Sequence, residues 1–174
     1  ERIRRQDSRV VVIRQEHAGQ TRALVRAVQA ARGEYLARHD ADDLSLPQRF
    51  AHQVRYLEAH PSVSVLGCAT DAIDERGNIL GPVPMRHGPS RVKEGLKTLK
   101  VTMVHTSIMM RRDAYDAAGG YRAAFLLSQD IDLWLRMVQR GEVDNLSEPL
   151  VRWRINLGGT YVSRRELQLK YGGI

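Results

Sequence analysis

Glu34-Tyr-Leu-Ala-Arg-His39 reads as a short strand, and it runs directly into three carboxylates within four residues, Asp40-Ala-Asp-Asp43. Ser45-Leu-Pro-Gln48 follows, with the Ser and Gln spacing of a capping box and Pro47 in the first turn of a helix that reaches about His60. A strand that ends in acids just before a helix is the layout of an open α/β sheet, whose carboxyl edge is where ligands bind. Like charges this close repel unless a cation or strong donors offset them, so a hard divalent metal is a natural occupant. Helix capping is the competing role for an Asp here. Because Ser45 is expected to supply the cap, at least one of the aspartates is expected to do metal or ligand work.

Working outward, short apolar runs alternate with amphipathic stretches, which predicts an α/β sheet with covering helices rather than a sandwich or a bundle. Val10-Val-Val-Ile13 predicts a buried strand, followed by a polar loop from Arg14 to Gly19. A helix is expected from about Thr21 to Arg32, with Leu24, Ala27, Val28 and Ala31 on one face and Gly33 as its cap. Pro61 ends the helix after the acids. Val63 to Gly67 predicts a strand, Arg76-Gly-Asn78 a hairpin turn, and Gly81 to Pro89 a loop. Beyond it the pattern predicts a helix near Ser90 to Lys100, a strand near Ser107 to Arg111 and a turn at Gly119-Gly120. The helix from Gln129 to Arg140 has Leu133, Trp134, Met137 and Val138 on its apolar face and Gly141 as a cap. Two short strands, Val143 to Leu146 and Pro149 to Trp153, complete the pattern before a tail over Gly158 to Ile174.

At 174 residues the chain suits one domain, and 43% hydrophobic with 27% charged residues describes a globular protein. The lone Cys68 excludes a disulfide scaffold and fits a reducing compartment. No apolar run approaches the roughly 20 residues of a membrane helix, and the first residues lack the apolar stretch of a signal peptide. A cytoplasmic protein is expected. The net charge is +7, and six of those charges fall between Arg86 and Arg112, where Arg86, Arg91, Lys93, Lys97, Lys100, Arg111 and Arg112 face one acid, Glu94. Such a segment suits nucleic acid, anionic lipid or a phosphorylated ligand, and equally a solvated face.

No Gly-x-Ser-x-Gly elbow, P-loop or GxGxxG occurs, and the six histidines lack zinc-type spacing. His105 stands out because it precedes a strand bound for the same sheet edge, although from the residues alone a hydrogen-bonded structural histidine is the favoured reading. Asp130, in the first turn of its helix, is explained by the helix dipole alone, and Asp132 is placed to pair with Arg136 four residues on.

The order of these blocks resembles family 2 glycosyltransferases. Ala31 to Phe50 resembles the family's DxD region, and Pro61 to Gly67 resembles the strand after the DxD helix. His105 to Arg111 with Gly119-Gly-Tyr121 resembles the acceptor-side block. Ser128-Gln-Asp-Ile-Asp-Leu-Trp-Leu-Arg136 resembles the segment that carries the catalytic aspartate, and Pro149 to Arg154 the closing strand. The resemblance implies a GT-A fold, a Rossmann-like α/β sandwich, and inverting transfer of a sugar from a nucleotide-diphosphate donor. By the same resemblance Asp42 would bind Mn²⁺ or Mg²⁺, with Asp40 and Asp43 in the donor site. Asp130 would be the general base, and His105, Gln129 and Trp134 would lie on the acceptor side. The implied partners are a nucleotide-sugar donor and a glycan or lipid-linked acceptor of the cell envelope, with no nucleic acid; the charge of the 86–112 segment alone adds the expectation that it contacts the donor diphosphate, a lipid phosphate or the inner face of the membrane.

Two departures accompany the resemblance. Gln129 stands where the family often has Glu, and the family's opening strand-helix-strand unit has no counterpart ahead of Val10, which gives the expectation of a domain lacking its N-terminal unit. The expected division is a partial GT-A domain over 1–157 and a tail over 158–174. Two other readings stay open from the residues alone: a non-catalytic module binding nucleic acid or anionic lipid through 86–112, and a metal-dependent phosphohydrolase built on Asp40 to Asp43.

Overall fold

The structure, a computed structural model, describes residues 2–98 and 103–156. After a short helix α1 (Arg2–Gln6) come α2 (Gln20–Ala30), β1 (Tyr35–Ala37), β2 (Leu44–Ser45), α3 (Arg49–Ala59), β3 (Val63–Ile73), β4 (Ile79–Pro82) and α4 (Pro89–Lys97). A single 3-10 turn at His105–Ser107 then leads to β5 (Met109–Arg111), α5 (Arg112–Ala117), α6 (Gln129–Met137) and β6 (Glu142–Arg154).

The strands form one mixed six-stranded sheet in the order β1-β5-β3-β6-β2, with β4 also paired to β3. β3 is its spine, since Val63, Val65, Leu66, Cys68 and Ile73 are all buried. β6 runs parallel to β3, and the other pairings are antiparallel. A parallel partner requires a crossover, and the chain supplies it through α4, β5, α5 and α6. Side chains alternate across the sheet. Met109 joins Leu57, Val63 and Leu66 beneath α3, whereas Met110 joins Val65, Leu133, Trp134 and Met137 beneath α6 on the other face. Val92 and Leu96 of α4, Tyr115 of α5, and Leu24, Val25 and Val28 of α2 pack into that second cluster. The α/β expectation therefore holds, as does the hairpin: Asp74 accepts the N–H groups of Arg76 (2.9 Å) and Asn78 (2.8 Å), with Gly77 at φ 91°.

Several local expectations are corrected. Val10 to Ile13 is not a buried strand; Val11, Val12 and Ile13 are 62%, 40% and 38% exposed. An extended run becomes a strand only where a neighbour satisfies its backbone, and no described strand pairs with this one. Gly33 does not cap α2, whose C-cap is Ala31 in extended geometry. Val25 takes the inward place expected of Ala27 and Ala31, which are exposed. Ser45 lies in β2 instead of capping α3; the N-cap is Gln48, without a side-chain cap bond. α6 ends at Met137 with Val138 as C-cap, and Gly141 serves close packing instead, because a Cβ there would stand 3.0 Å from the Ser62 carbonyl. The two final strands are one: β6 continues its pairing past a bulge that ejects the exposed Ser147 and Glu148 between Leu146 and Pro149.

The basic segment does not form one face. Arg111 bonds the Val63 carbonyl (3.0 Å) and the Leu57 carbonyl and lies 5.6 Å from the Tyr35 ring; Arg112 donates to the Gly33 carbonyl (2.7 Å). Arg86 pairs with Glu94 at 3.2 Å, which leaves Arg91, Lys93 and Lys97 exposed on α4. Lys100 and the expected tail at 158–174 lie outside the described residues. Among the described residues no helix is long and apolar enough to cross a membrane.

Candidate functional site

β1 ends where the carboxylate turn begins. Period-2 alternation buries both Leu36 and Arg38, so the strand delivers a guanidinium inward at the sheet's edge. Arg38 forms an ion pair with Asp40, and the Asp40 N–H donates to Thr106 Oγ1 at 3.0 Å. The Asp43 N–H closes the turn on the Asp40 carbonyl at 3.2 Å.

Two further arginines hold this turn. Arg49, 1% exposed at the start of α3, donates to the carbonyls of Arg38 (2.9 Å) and Ile108 (3.1 Å), to Ser45 Oγ (2.8 Å) and to Gln53 Oε1 (3.0 Å). Gln53, one helical turn on, donates to the carbonyls of Leu66 (3.1 Å) and Ser107 (2.8 Å), so one face of α3 fastens the ends of β1 and β5 to β3. Arg154, the last residue of β6, donates its N–H to Asp43 Oδ1 (2.8 Å), its Nε to the Asp42 carbonyl (2.8 Å) and its Nη1 to the carbonyls of Asp74 (2.7 Å) and Glu75 (3.0 Å). Asn156 Nδ2 reaches Asp42 Oδ2 at 2.8 Å.

One carboxylate oxygen from each of Asp40, Asp42 and Asp43 lies within 4.8 Å of the others. Asp42 is exposed and Asp43 is buried, its Oδ2 without a hydrogen-bond partner. Burial pushes the Asp43 carboxyl up, against the opposing pull of the Arg154 N–H and the Thr106 hydroxyl, and repulsion from Asp40 and Asp42 adds to the rise. Three hard oxygen donors around an unsatisfied buried oxygen fit a divalent cation of the Mn²⁺ or Mg²⁺ type.

The second acidic element is the N-terminus of α6. Ser128 enters it in the left-handed region (φ 58°) without a side-chain cap bond. Gln129 is buried, its Nε2 3.3 Å from Gln20 Oε1. Asp130 is half-buried, and the hydrogen bond its Oδ1 accepts is from the adjoining Ile131 N–H (2.9 Å). Burial pushes this carboxyl above the usual carboxylate range, opposed by that N–H and by the charge of Arg38. Asp132 pairs with Arg136 at 2.6 Å, as their spacing predicts.

His105 lies half-buried between these elements, one residue before Thr106. Its Nε2 is 2.7 Å from the Tyr121 hydroxyl and its ring is edge-on to Trp134 at 5.9 Å. Burial and the charge of Arg38 hold its pKa well below the ordinary histidine value. Trp134, 2% exposed, lies in the core beneath His105 and presents no surface of its own.

Arg38 was not singled out in the sequence, although its charge reaches Asp40, His105, Tyr121 and Asp130. The signal is its place two residues after the buried Leu36, directly past the end of β1. Tyr121 and Arg154 carry no local signal of a role, because their contacts span 16 residues to His105 and 111 to Asp43.

The sequence model of glycosyl transferase family 2 matches residues 1–119, which takes in the Asp40–Asp43 turn and His105 and stops short of Asp130. An uncharacterized glycosyltransferase of Methanocaldococcus jannaschii, MJ1057, is 32% identical over 168 residues, covering 95% of the chain and 57% of the relative. The amylovoran biosynthesis glycosyltransferase AmsE of Erwinia amylovora is 30% identical over 158 residues, covering 90% of the chain and 57% of the relative. The chain thus spans little more than half the length of these relatives. Among solved structures, the mannosyltransferase PcManGT of Pyrobaculum calidifontis, in complex with GDP-Man and Mn²⁺, superposes with a TM-score of 0.57 at 18% identity, over 91% of this chain and 42% of that one.

Proposed function

The chain belongs to glycosyl transferase family 2 and has the GT-A fold, and on that premise we propose that it transfers a sugar, with inversion, from a nucleotide-diphosphate donor to a hydroxyl of a cell-envelope glycan or its lipid-linked precursor. The observation that carries the reading is the carboxylate turn, in which one oxygen from each of Asp40, Asp42 and Asp43 lies within 4.8 Å of the others and Arg38 pairs with Asp40.

In this reading Asp42, flanked by Asp40 and Asp43, holds the divalent cation. When bound, the ion neutralises the diphosphate and stabilises it as a leaving group. Asp130 accepts the proton of the acceptor hydroxyl as that oxygen bonds to the anomeric carbon, and the bond from that carbon to the diphosphate oxygen breaks on the opposite side. A carboxylate whose pKa is raised by burial is the stronger base for this step. Gln129 and His105 line the acceptor side, and residues 1–157 contribute to the catalytic domain with 158–174 as a tail. A lipid-linked acceptor would bring the protein from the cytoplasm to the inner face of the membrane, where Arg91, Lys93 and Lys97 offer cations to an anionic surface.

Arg111 and Arg112 are engaged by backbone carbonyls, which leaves Arg91, Lys93 and Lys97 of α4 as the cations open to the binding-module alternative. Turnover of a panel of nucleotide sugars, with and without Mn²⁺, tests the proposal. Metal-dependent turnover that disappears in Asp42→Ala and Asp130→Asn is expected; turnover retained in both variants rejects the roles.

A further inference from the structure

The His105 ring contains a donor whose direction is set by a residue outside every role so far assigned. The Tyr121 hydroxyl is 2.7 Å from His105 Nε2, the ring centroids are 5.8 Å apart, and the tyrosine is 6% exposed. Tyr121 is itself firmly placed. Its N–H donates to the Tyr115 hydroxyl at 3.0 Å, and the two rings meet edge-on at 5.6 Å. The turn before it needs glycine: Gly120 sits at φ 61°, where a Cβ would come within 2.8 Å of the Tyr115 hydroxyl. Arg136 of α6 donates to the Gly120 carbonyl at 2.8 Å and to the Ala118 carbonyl, tying that turn to the helix that carries Asp130.

A phenol has one proton, and among the described residues the acceptor within reach of the Tyr121 hydroxyl is His105 Nε2. Burial, followed by the charge of Asp130, pushes the Tyr121 pKa up, so the phenol keeps that proton. Were Nε2 protonated, the tyrosine proton would be buried without an acceptor, an arrangement folded proteins avoid. The ring is neutral, since burial and Arg38 disfavour the imidazolium. With Nε2 accepting, the remaining proton belongs on Nδ1, which no described residue engages and which is not among the buried orphaned atoms.

Resting on the glycosyltransferase reading of the site, we propose that His105 is a neutral hydrogen-bond donor through Nδ1–H to a substrate oxygen between the Asp40–Asp43 turn and Asp130, and that Tyr121 is the positioning residue that fixes this tautomer. The recognised group is a sugar hydroxyl or diphosphate oxygen. An uncharged donor suits that place, because a cation there would compete with Arg38 and the metal for the same carboxylates.

Nitrogen-15 NMR of the full chain labelled at histidine, with the resonance assigned by its loss in His105→Gln, reads the tautomer without any need for activity. The Nδ1–H form is expected in the wild type, with a shift toward Nε2–H in Tyr121→Phe; an Nε2–H ring in the wild type overturns the proposal. Turnover supplies the second arm, because Asn places an amide N–H near the position of Nδ1 and Gln near that of Nε2. Loss of a positioned donor costs roughly 100-fold in kcat, so His105→Gln should fall by about that factor while His105→Asn stays within about tenfold of wild type. His105→Gln equal to or better than His105→Asn overturns the donor role. A wild-type chain that turns over no nucleotide sugar sinks the glycosyltransferase reading instead, and the NMR result still decides whether Tyr121 sets the ring.

Discussion

The Asp40–Asp43 turn and the N-terminus of α6 both present aspartates at one edge of the sheet, yet they are built in opposite ways. The turn is held from every side: Thr106 receives the Asp40 N–H, Arg38 pairs with the Asp40 carboxylate, Arg154 supplies an N–H to Asp43, and Asn156 donates to Asp42. Asp130 is half-buried with one short bond from its own helix. Donors around a carboxylate favour its charged form and fix its direction, which suits a group that must point at a cation. Burial with only local backbone donors tips the balance toward the neutral form, which suits a group that must take up a proton. Asp43 crosses that division, buried like Asp130 and crowded by two acids, and a cation in the turn would relieve it.

The sharpest way to break the comparison is Asp130→Asn. A general base contributes roughly 10²–10⁴-fold, so kcat should fall by about 10³-fold. Stability should move the other way. A carboxyl whose folded pKa is raised stabilises the fold below its unfolded pKa, and that contribution is lost as pH rises through the folded value. At neutral pH the ionised Asp130 is therefore a cost, and Asn should raise Tm by about 2–4 °C. The gain should shrink in acid. In the wild type the rate should climb with pH as Asp130 loses its proton, on a limb displaced above that of an ordinary carboxylate, and the limb should vanish in the variant. Calorimetry at two pH values and a pH–rate profile check both halves; an unchanged profile would make Asp130 a helix-dipole residue and erase the contrast.

Asp42→Ala tests the other region. Asp42 is exposed and packs against little, so Tm should hardly move while Mn²⁺ activation weakens by about 100-fold, read from a metal titration of turnover. Arg154→Met should have a smaller effect. It keeps the N–H that reaches Asp43 and removes the guanidinium that ties the Asp42 carbonyl to those of Asp74 and Glu75. Groups that orient metal ligands contribute about 10–100-fold in affinity, and the low end applies because the backbone bond survives. Equal Mn²⁺ affinity in the variant and the wild type would mean that the turn does not depend on this tie.

What the sequence made legible follows from the range of the interactions. The α/β class, the carboxylate turn and the Arg76–Asn78 hairpin rest on neighbouring residues, and their patterns are local. The spacing of Asp130 alone marks a helix-dipole residue, and only the family resemblance points to a role for it. Arg38 is the inward residue just past a three-residue strand, too short for alternation to announce itself. The capping box failed because Ser45 is held in β2 by pairing with Val151, more than 100 positions away, and is bonded by Arg49. The apolar run at Val10 to Ile13 shows the limit of composition, since a β-branched segment without a partner strand stays exposed.

Gly141→Ala should change least at the site, and it tests whether the two acidic regions are separable from the rest of the sheet. Gly141 lies where α6 gives way to β6, its N–H bonded to the Met137 carbonyl at 3.1 Å. A Cβ there would meet the Ser62 carbonyl at 3.0 Å and Ser64 Cβ at 3.1 Å, so the start of β6 must move away from β3 by a few tenths of an ångström. Such overpacking costs about 1–2 kcal/mol. β6 carries Arg154 at its far end, thirteen residues on, and the bulge at Ser147–Glu148 lies between. If that bulge absorbs the displacement, urea unfolding will show the loss of stability while kcat and Mn²⁺ affinity stay at wild-type values. A fall in metal affinity alongside stability would mean that the strand moves as one piece, and that the position of the carboxylate turn is set from the opposite end of the sheet.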